Sequence, residues 1–147
     1  MNKIKLFTIG FTKKNAEAFF GILIKYNVEK LIDIRLNNVS QLAGFTKKDD
    51  LNYFLKKICN CYYAHKPLLA PTKEILDAYK KKEITWSEYE RRFKDLLISR
   101  KAHKLLSSSE LHMACFLCSE PTPDKCHRRL VAEFFKNFFE DIEIIHL

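Results

Sequence analysis

The sequence predicts an α/β fold: a three-layer, Rossmann-like sandwich with a mainly parallel central sheet and helices on both faces. Three observations carry this expectation. Short apolar, β-branched runs alternate along the chain with segments whose apolar residues recur at helical spacing, as strand and crossover helix do in parallel sheets. The 147 residues are 47% hydrophobic, enough for one substantial core, and are read as a single domain over 1–147. Only three glycines and four prolines are present, with no linker, repeat or low-complexity block to mark a boundary.

The first strand is read over Lys3 to Ile9, a nearly continuous apolar run suited to a central position covered on both faces, and Gly10 ends it. Thr12 is expected to cap a helix running to Tyr26, with Phe19, Phe20, Leu23 and Ile24 on one side. A second strand over Lys30 to Arg35 precedes a helix from Lys48 to Cys59. Tyr62 to Ala64 is a short strand. Pro67 and Pro71 force an extended crossing before a helix over Glu74 to Lys82. Thr85 or Ser87 caps the next helix, whose Trp86, Tyr89 and Phe93 read as a core stripe continuing toward Leu105 and Leu106. Leu111 to Leu117 is a strongly apolar strand, Pro123 to Phe139 an amphipathic helix and Ile142 to His146 a final strand.

The N-terminal residues lack the apolar stretch of a signal peptide, and no apolar run approaches the roughly 20 residues that span a bilayer. A cytoplasmic protein without membrane contact is therefore expected. Five cysteines, an odd number, then read as reduced thiols rather than a disulfide framework. The net charge of +8 is uneven. Residues 1–60 carry 11 Lys/Arg against 5 Asp/Glu, whereas residues 101–147 carry 6 against 7. Such a surplus favours phosphate-bearing partners, although no nucleic-acid-binding motif accompanies it.

Ligands of open parallel sheets bind outside the carboxyl ends of the strands, where loops and helix N-termini converge. Those ends supply Gly10 with Thr12, then Asp33-Ile34-Arg35, then Cys118-Ser119-Glu120, followed by Cys126-His127-Arg128-Arg129. Thr122-Pro123 reads as the start of the last helix, placing Cys126 within about one turn of its positive end. A helix N-terminus beside Arg128 and Arg129 makes an anion site, which Arg35 closes from another strand end. Gly10 and Thr12 complete the expected ligand contacts. Asp33 and Arg35 read equally well as a buried structural ion pair.

Cys118 sits where a nucleophile sits at a strand terminus, and with Cys126, His127 and Glu120 it forms the expected catalytic set. The bland alternatives remain open: apolar core cysteines, a histidine strut, a carboxylate tying down loop amides. Cys115 and Cys118 fall on opposite faces of a strand, which excludes a thioredoxin-type pair. Zinc is disfavoured, because the Cys-x7-Cys-His spacing is atypical and no second close pair completes a tetrahedral set. No metal and no cofactor is expected. His65, His103 and His112 are assigned no role.

At these residues the chain resembles the domain of unknown function 488 family. The resemblance rests on Thr8-Ile9-Gly10, Asp33-Ile34-Arg35 followed by Ser40, Cys118-Ser119-Glu120 and Cys126-His127-Arg128. Leu69-Ala70-Pro71-Thr72 with Trp86 and Tyr89 is similar to the middle region of one subgroup. It implies an α/β fold and a shared site, with no substrate attached. Relatives often carry His after Thr-Ile-Gly, where this chain has Phe11. Three functional expectations follow. The first is a pocket, enzymatic or not, for a nucleotide, phosphorylated metabolite or nucleic-acid end. The second is a non-catalytic nucleic-acid-binding or regulatory module using Lys13, Lys14, Lys47 and Lys48, and the third a thiol sensor built on Cys118 and Cys126.

Overall fold

The computed structural model describes residues 3–38, 44–119 and 124–147. Five strands form one sheet: β1 (Ile4–Gly10), β2 (Lys30–Asp33), β3 (Tyr62–His65), β4 (Ala114–Cys118) and β5 (Ile142–His146). Their order is β3-β2-β4-β1-β5, and every pairing is parallel. Parallel neighbours need crossovers, and the helices α1 (Ala16–Lys25), α2 (Lys48–Phe54), α3 (Lys73–Lys80), α4 (Trp86–Ser99), α5 (Ser108–Leu111) and α6 (His127–Lys136) supply them. No described helix is long and apolar enough to cross a membrane.

Alternation along the strands assigns the two faces. Leu6, Ile32, Ala114 and Phe116 pack with the apolar residues of α3, α4 and α6. Phe7, Ile9, Leu31, Cys115 and Leu117 pack with α1 and α2. The result is the three-layer α/β sandwich that the strand-helix alternation implies. β1, between β4 and β5, is an interior strand covered on both faces, which is why its apolar run is continuous.

Three element starts differ from the sequence reading by more than one residue, each for a local reason. Asn15, not Thr12, caps α1: its side chain accepts from Ala18 N–H, while residues 11–14 turn through Lys13 at φ 66°. The helix after Lys48 does run to Cys59 as read, with its last turn, Leu55–Cys59, π-helical before the left-handed Asn60. The strand expected from Leu111 begins at Ala114. Ser107 and Glu110 form a reciprocal capping box that holds residues 108–111 in α5, and Met113 turns the chain with φ 61°. The last helix begins at His127, because Cys126 is extended (φ −136°, ψ 140°) and stands at the N-cap. The Thr122-Pro123 start lies outside the described residues, as do Ser40 and Glu120.

Candidate functional site

Register places the ends of β1 and β4 side by side, with Gly10 opposite Cys118. Beyond them Thr12 N–H donates to Ser119 O (3.0 Å), tying the two following loops together. Side chains at Thr8 and Cys118 share a face with Leu6 and Phe116, the face that α6 covers. The first turns of α6 therefore lie over the strand ends, and Cys126 meets Cys118 there. The two sulfurs are bonded to each other, whereas Cys59, Cys61 and Cys115 are free. The expectation of five separate thiols is corrected at this pair, because a strand terminus and a helix N-cap eight residues apart converge on one point.

Arg128 is fully buried behind the sulfurs. Its Nη1 donates to Cys118 Sγ (3.3 Å) and stands 4.0 Å from Cys126 Sγ, while Nε donates to Thr8 Oγ1 (3.3 Å). Thr8 Oγ1 also bonds His146 Nδ1 (2.6 Å), linking β5 to the cluster. Burial and the Arg128 charge hold His146 below the usual imidazole range.

His127, half-buried, reaches across the sheet end: Nε2 donates to Ile34 O (2.7 Å) and the ring meets Phe93 edge-on at 5.9 Å. Burial above all, with a further contribution from Arg128, pushes its pKa down to about 4. The imidazole is consequently neutral near pH 7. With Nε2–H pointed at a carbonyl, Nδ1 carries the lone pair. His127 is thus both a strut between α6 and the β2 end and a ring with one nitrogen uncommitted.

Asp33 and Arg35 form a second cluster. The Asp33 carboxylate accepts from Arg35 Nε and Nη2 (both 2.8 Å), Arg35 N–H (3.2 Å) and Tyr63 O–H (2.6 Å). Arg35 Nη2 also donates to Thr46 O (2.6 Å), and its guanidinium covers the Phe11 ring at 5.3 Å. Burial and the Asp33 bond raise the Tyr63 pKa well above the ordinary phenol value. Asp33 and Phe11 belong to the α1/α2 side of the sheet, whereas Arg128 belongs to the α6 side. The guanidiniums of Arg35 and Arg128 therefore do not converge.

Arg129 turns away from both clusters, pairing with Glu133 (2.8 Å) and Glu90 (3.1 Å) along the α4/α6 surface. Gly10, Thr12, Arg35, Cys118, Cys126, His127 and Arg128 do gather at the carboxyl edge of the sheet. Above them opens a cleft of about 500 Å³. Ser119, Cys126 and His127 line its floor, with Phe11 and Arg35 on one side. The other wall is Tyr79, Trp86 and Tyr89, with Lys80 and Lys125 exposed at the rim. Trp86 and Tyr89 stack at 4.7 Å with a 19° interplanar angle.

Several of these contributors carry no signal in residue type and spacing alone. Thr8, His146 and Tyr63 look like ordinary strand residues, and Trp86 like a core residue. Trp86 does pack against the core, and it also faces the cleft. His65, assigned no role from sequence, bonds Arg35 O through Nε2 (2.7 Å) and steadies the loop after β2.

Fold and site together define an all-parallel α/β protein with a cysteine, histidine and arginine cluster beneath a cleft at the carboxyl edge of its sheet. The chain belongs to the family described as Domain of unknown function DUF488, whose model matches residues 15–135. That span includes Asp33 to Arg35, Cys118 and Cys126 to Arg128, and leaves out β1 and β5. No curated protein and no solved structure matches the chain.

Proposed function

We propose that the chain binds a phosphorylated small molecule with a flat portion, a nucleotide in the first instance, in the cleft at the sheet edge. The observation that carries this reading is the composition of the walls. A stacked Trp86–Tyr89 pair offers an aromatic surface, while Lys80 and Lys125 at the rim offer positive charge. Cys126 and His127, the N-cap and first residue of the ten-residue α6, line the cleft, which puts the positive dipole end of that helix beside the ligand. A net charge of +8 adds long-range attraction for such a ligand. Arg35 and Arg128 support the floor from opposite sides rather than gripping the anion directly.

Trp86 is the only tryptophan, so its emission reports on the cleft directly. Titration with mono-, di- and triphosphate nucleotides and sugar phosphates is expected to change that emission saturably, with calorimetry giving matching affinities. Lys80→Ala and Lys125→Ala are expected to weaken binding about tenfold each, the roughly 1.4 kcal/mol of one charge-assisted contact. No saturable response across the panel would refute the proposal.

A second reading is favoured by the joined sulfurs: a dithiol that cycles between reduced and oxidised forms. Mass-resolved thiol labelling under graded oxidation is expected to lose Cys118 and Cys126 together while Cys59 still reacts. Independent loss of the two would rule it out.

A further inference from the structure

We propose that the reduced Cys118–Cys126 pair and His127 bind one thiophilic divalent cation, Zn²⁺ in the first place, leaving an open coordination position toward the cleft. Among the described residues this is the one group of three or more histidine, cysteine or carboxylate residues able to hold a metal together. Both sulfurs and a ring nitrogen of His127 lie within 4.8 Å of one another. Sequence spacing argues against a metal because it searches for a second close cysteine pair. The fold supplies the third donor instead from the residue beside Cys126.

Four features of the site support this assignment. The first is backbone span. The Cα atoms of Cys118 and Cys126 are 7.6 Å apart, a span that two cysteine side chains holding one ion between their sulfurs can bridge. The second is tautomer. Metal-bound histidines generally donate their other N–H to a carbonyl or carboxylate, and His127 Nε2 already donates to Ile34 O at 2.7 Å, leaving Nδ1 as the donor atom.

The third is the outer shell. Arg128 Nη1 donates to Cys118 Sγ, the N–H···S contact that stabilises a ligating thiolate. Its charge is tolerable because two thiolates cancel the dication. The fourth is access. Cys126 and His127 line the floor of the cleft, which gives the ion an entry path and a coordinated water or ligand a place to stand. Two thiolates, one imidazole and one open position is the pattern of a catalytic rather than a structural zinc centre.

The chemistry balances simply. A small dithiol reductant transfers two electrons and two protons to the Cys118–Cys126 bond, giving two thiols and the oxidised reductant. Metal entry then displaces one proton from each thiol, while neutral His127 contributes its Nδ1 lone pair and releases none.

The test uses the full chain, reduced and then freed of reductant under anaerobic conditions, with Co²⁺ as the probe and Zn²⁺ as competitor. One equivalent of Co²⁺ is expected to give thiolate-to-metal charge-transfer absorption with visible bands of tetrahedral intensity, and Zn²⁺ to abolish them stoichiometrically. Cys118→Ser and Cys126→Ser are each expected to weaken binding at least 100-fold, and His127→Ala at least tenfold, whereas Cys59→Ser leaves it unchanged. In the unsubstituted chain, which needs no variant to fold, Zn²⁺ is expected to slow alkylation of Cys118 and Cys126 selectively. Absence of the charge-transfer band in the fully reduced chain overturns the proposal. So does a band that Cys59→Ser removes, or unchanged alkylation of Cys118 and Cys126 with Zn²⁺ present. None of these outcomes bears on nucleotide binding, which Trp86 emission reads separately.

Discussion

Replacing Asp33 by Asn keeps the side-chain volume and removes the charge that holds Arg35. Asp33 is fully buried and Arg35 is 6% exposed, so the substitution leaves a guanidinium with little access to water. Two opposite charges about 4 Å apart interact by about 4 kcal/mol at an effective dielectric near 20. Breaking a buried pair from one side typically costs about 3–5 kcal/mol. The two figures agree, and both are a large share of the roughly 5–15 kcal/mol that stabilises a domain. With a urea dependence of about 2 kcal/mol per molar, the unfolding midpoint of Asp33→Asn is expected to fall by about 2 M.

The companion variant Arg35→Met in the Asp33→Asn background removes the stranded cation and is expected to recover at least half of that loss. The assay is urea unfolding followed by far-UV circular dichroism. A loss below about 1 kcal/mol, or a double variant no more stable than the single one, would refute the account of Arg35 as a buried structural cation. Unchanged stability combined with altered nucleotide affinity would assign Arg35 to the ligand instead.

Three further outcomes test the same framework. Because the folded protein holds His127 near pKa 4 while an unfolded imidazole titrates near 6.5, the unfolded state takes up the proton first. Stability is expected to be full above pH 6.5 and to fall as pH drops toward 4, by about 1.4 kcal/mol per pH unit. His127→Gln should remove that part of the slope; parallel pH profiles for the two proteins would contradict it. Phe93→Ala empties a fully buried site against the His127 ring and is expected to cost about 3–5 kcal/mol in the same unfolding assay, an effect below 1 kcal/mol counting against the packing described. Thr8→Val removes the acceptor for Arg128 Nε and the partner of His146 Nδ1 at constant shape, and is expected to cost about 1–3 kcal/mol; a neutral substitution would mean that water replaces the hydroxyl.

The sequence alone determined the layer architecture. Period-2 and period-3.6 patterns reflect which faces are buried, and burial is written locally in each strand and helix, as in the continuous apolar run of β1. It also brought Cys118 and Cys126 to Arg128 together at the strand ends, because they follow a strand terminus and open a helix. Local signals failed where two compete: Leu111 is apolar enough for a strand, but the Ser107–Glu110 capping box takes it into α5.

Only the tertiary structure decided which side chains meet. Arg35 and Arg128 are both cations at strand ends, yet side-chain alternation on one and helix docking on the other send their guanidiniums to opposite faces of the sheet. Arg129, adjacent to Arg128, points to Glu90 and Glu133 because neighbouring helix residues diverge by about 100°. The convergence of Cys118, Cys126 and His127 depends on how α6 lies over β1 and β4. That is a distance between elements, and no spacing along the chain encodes it.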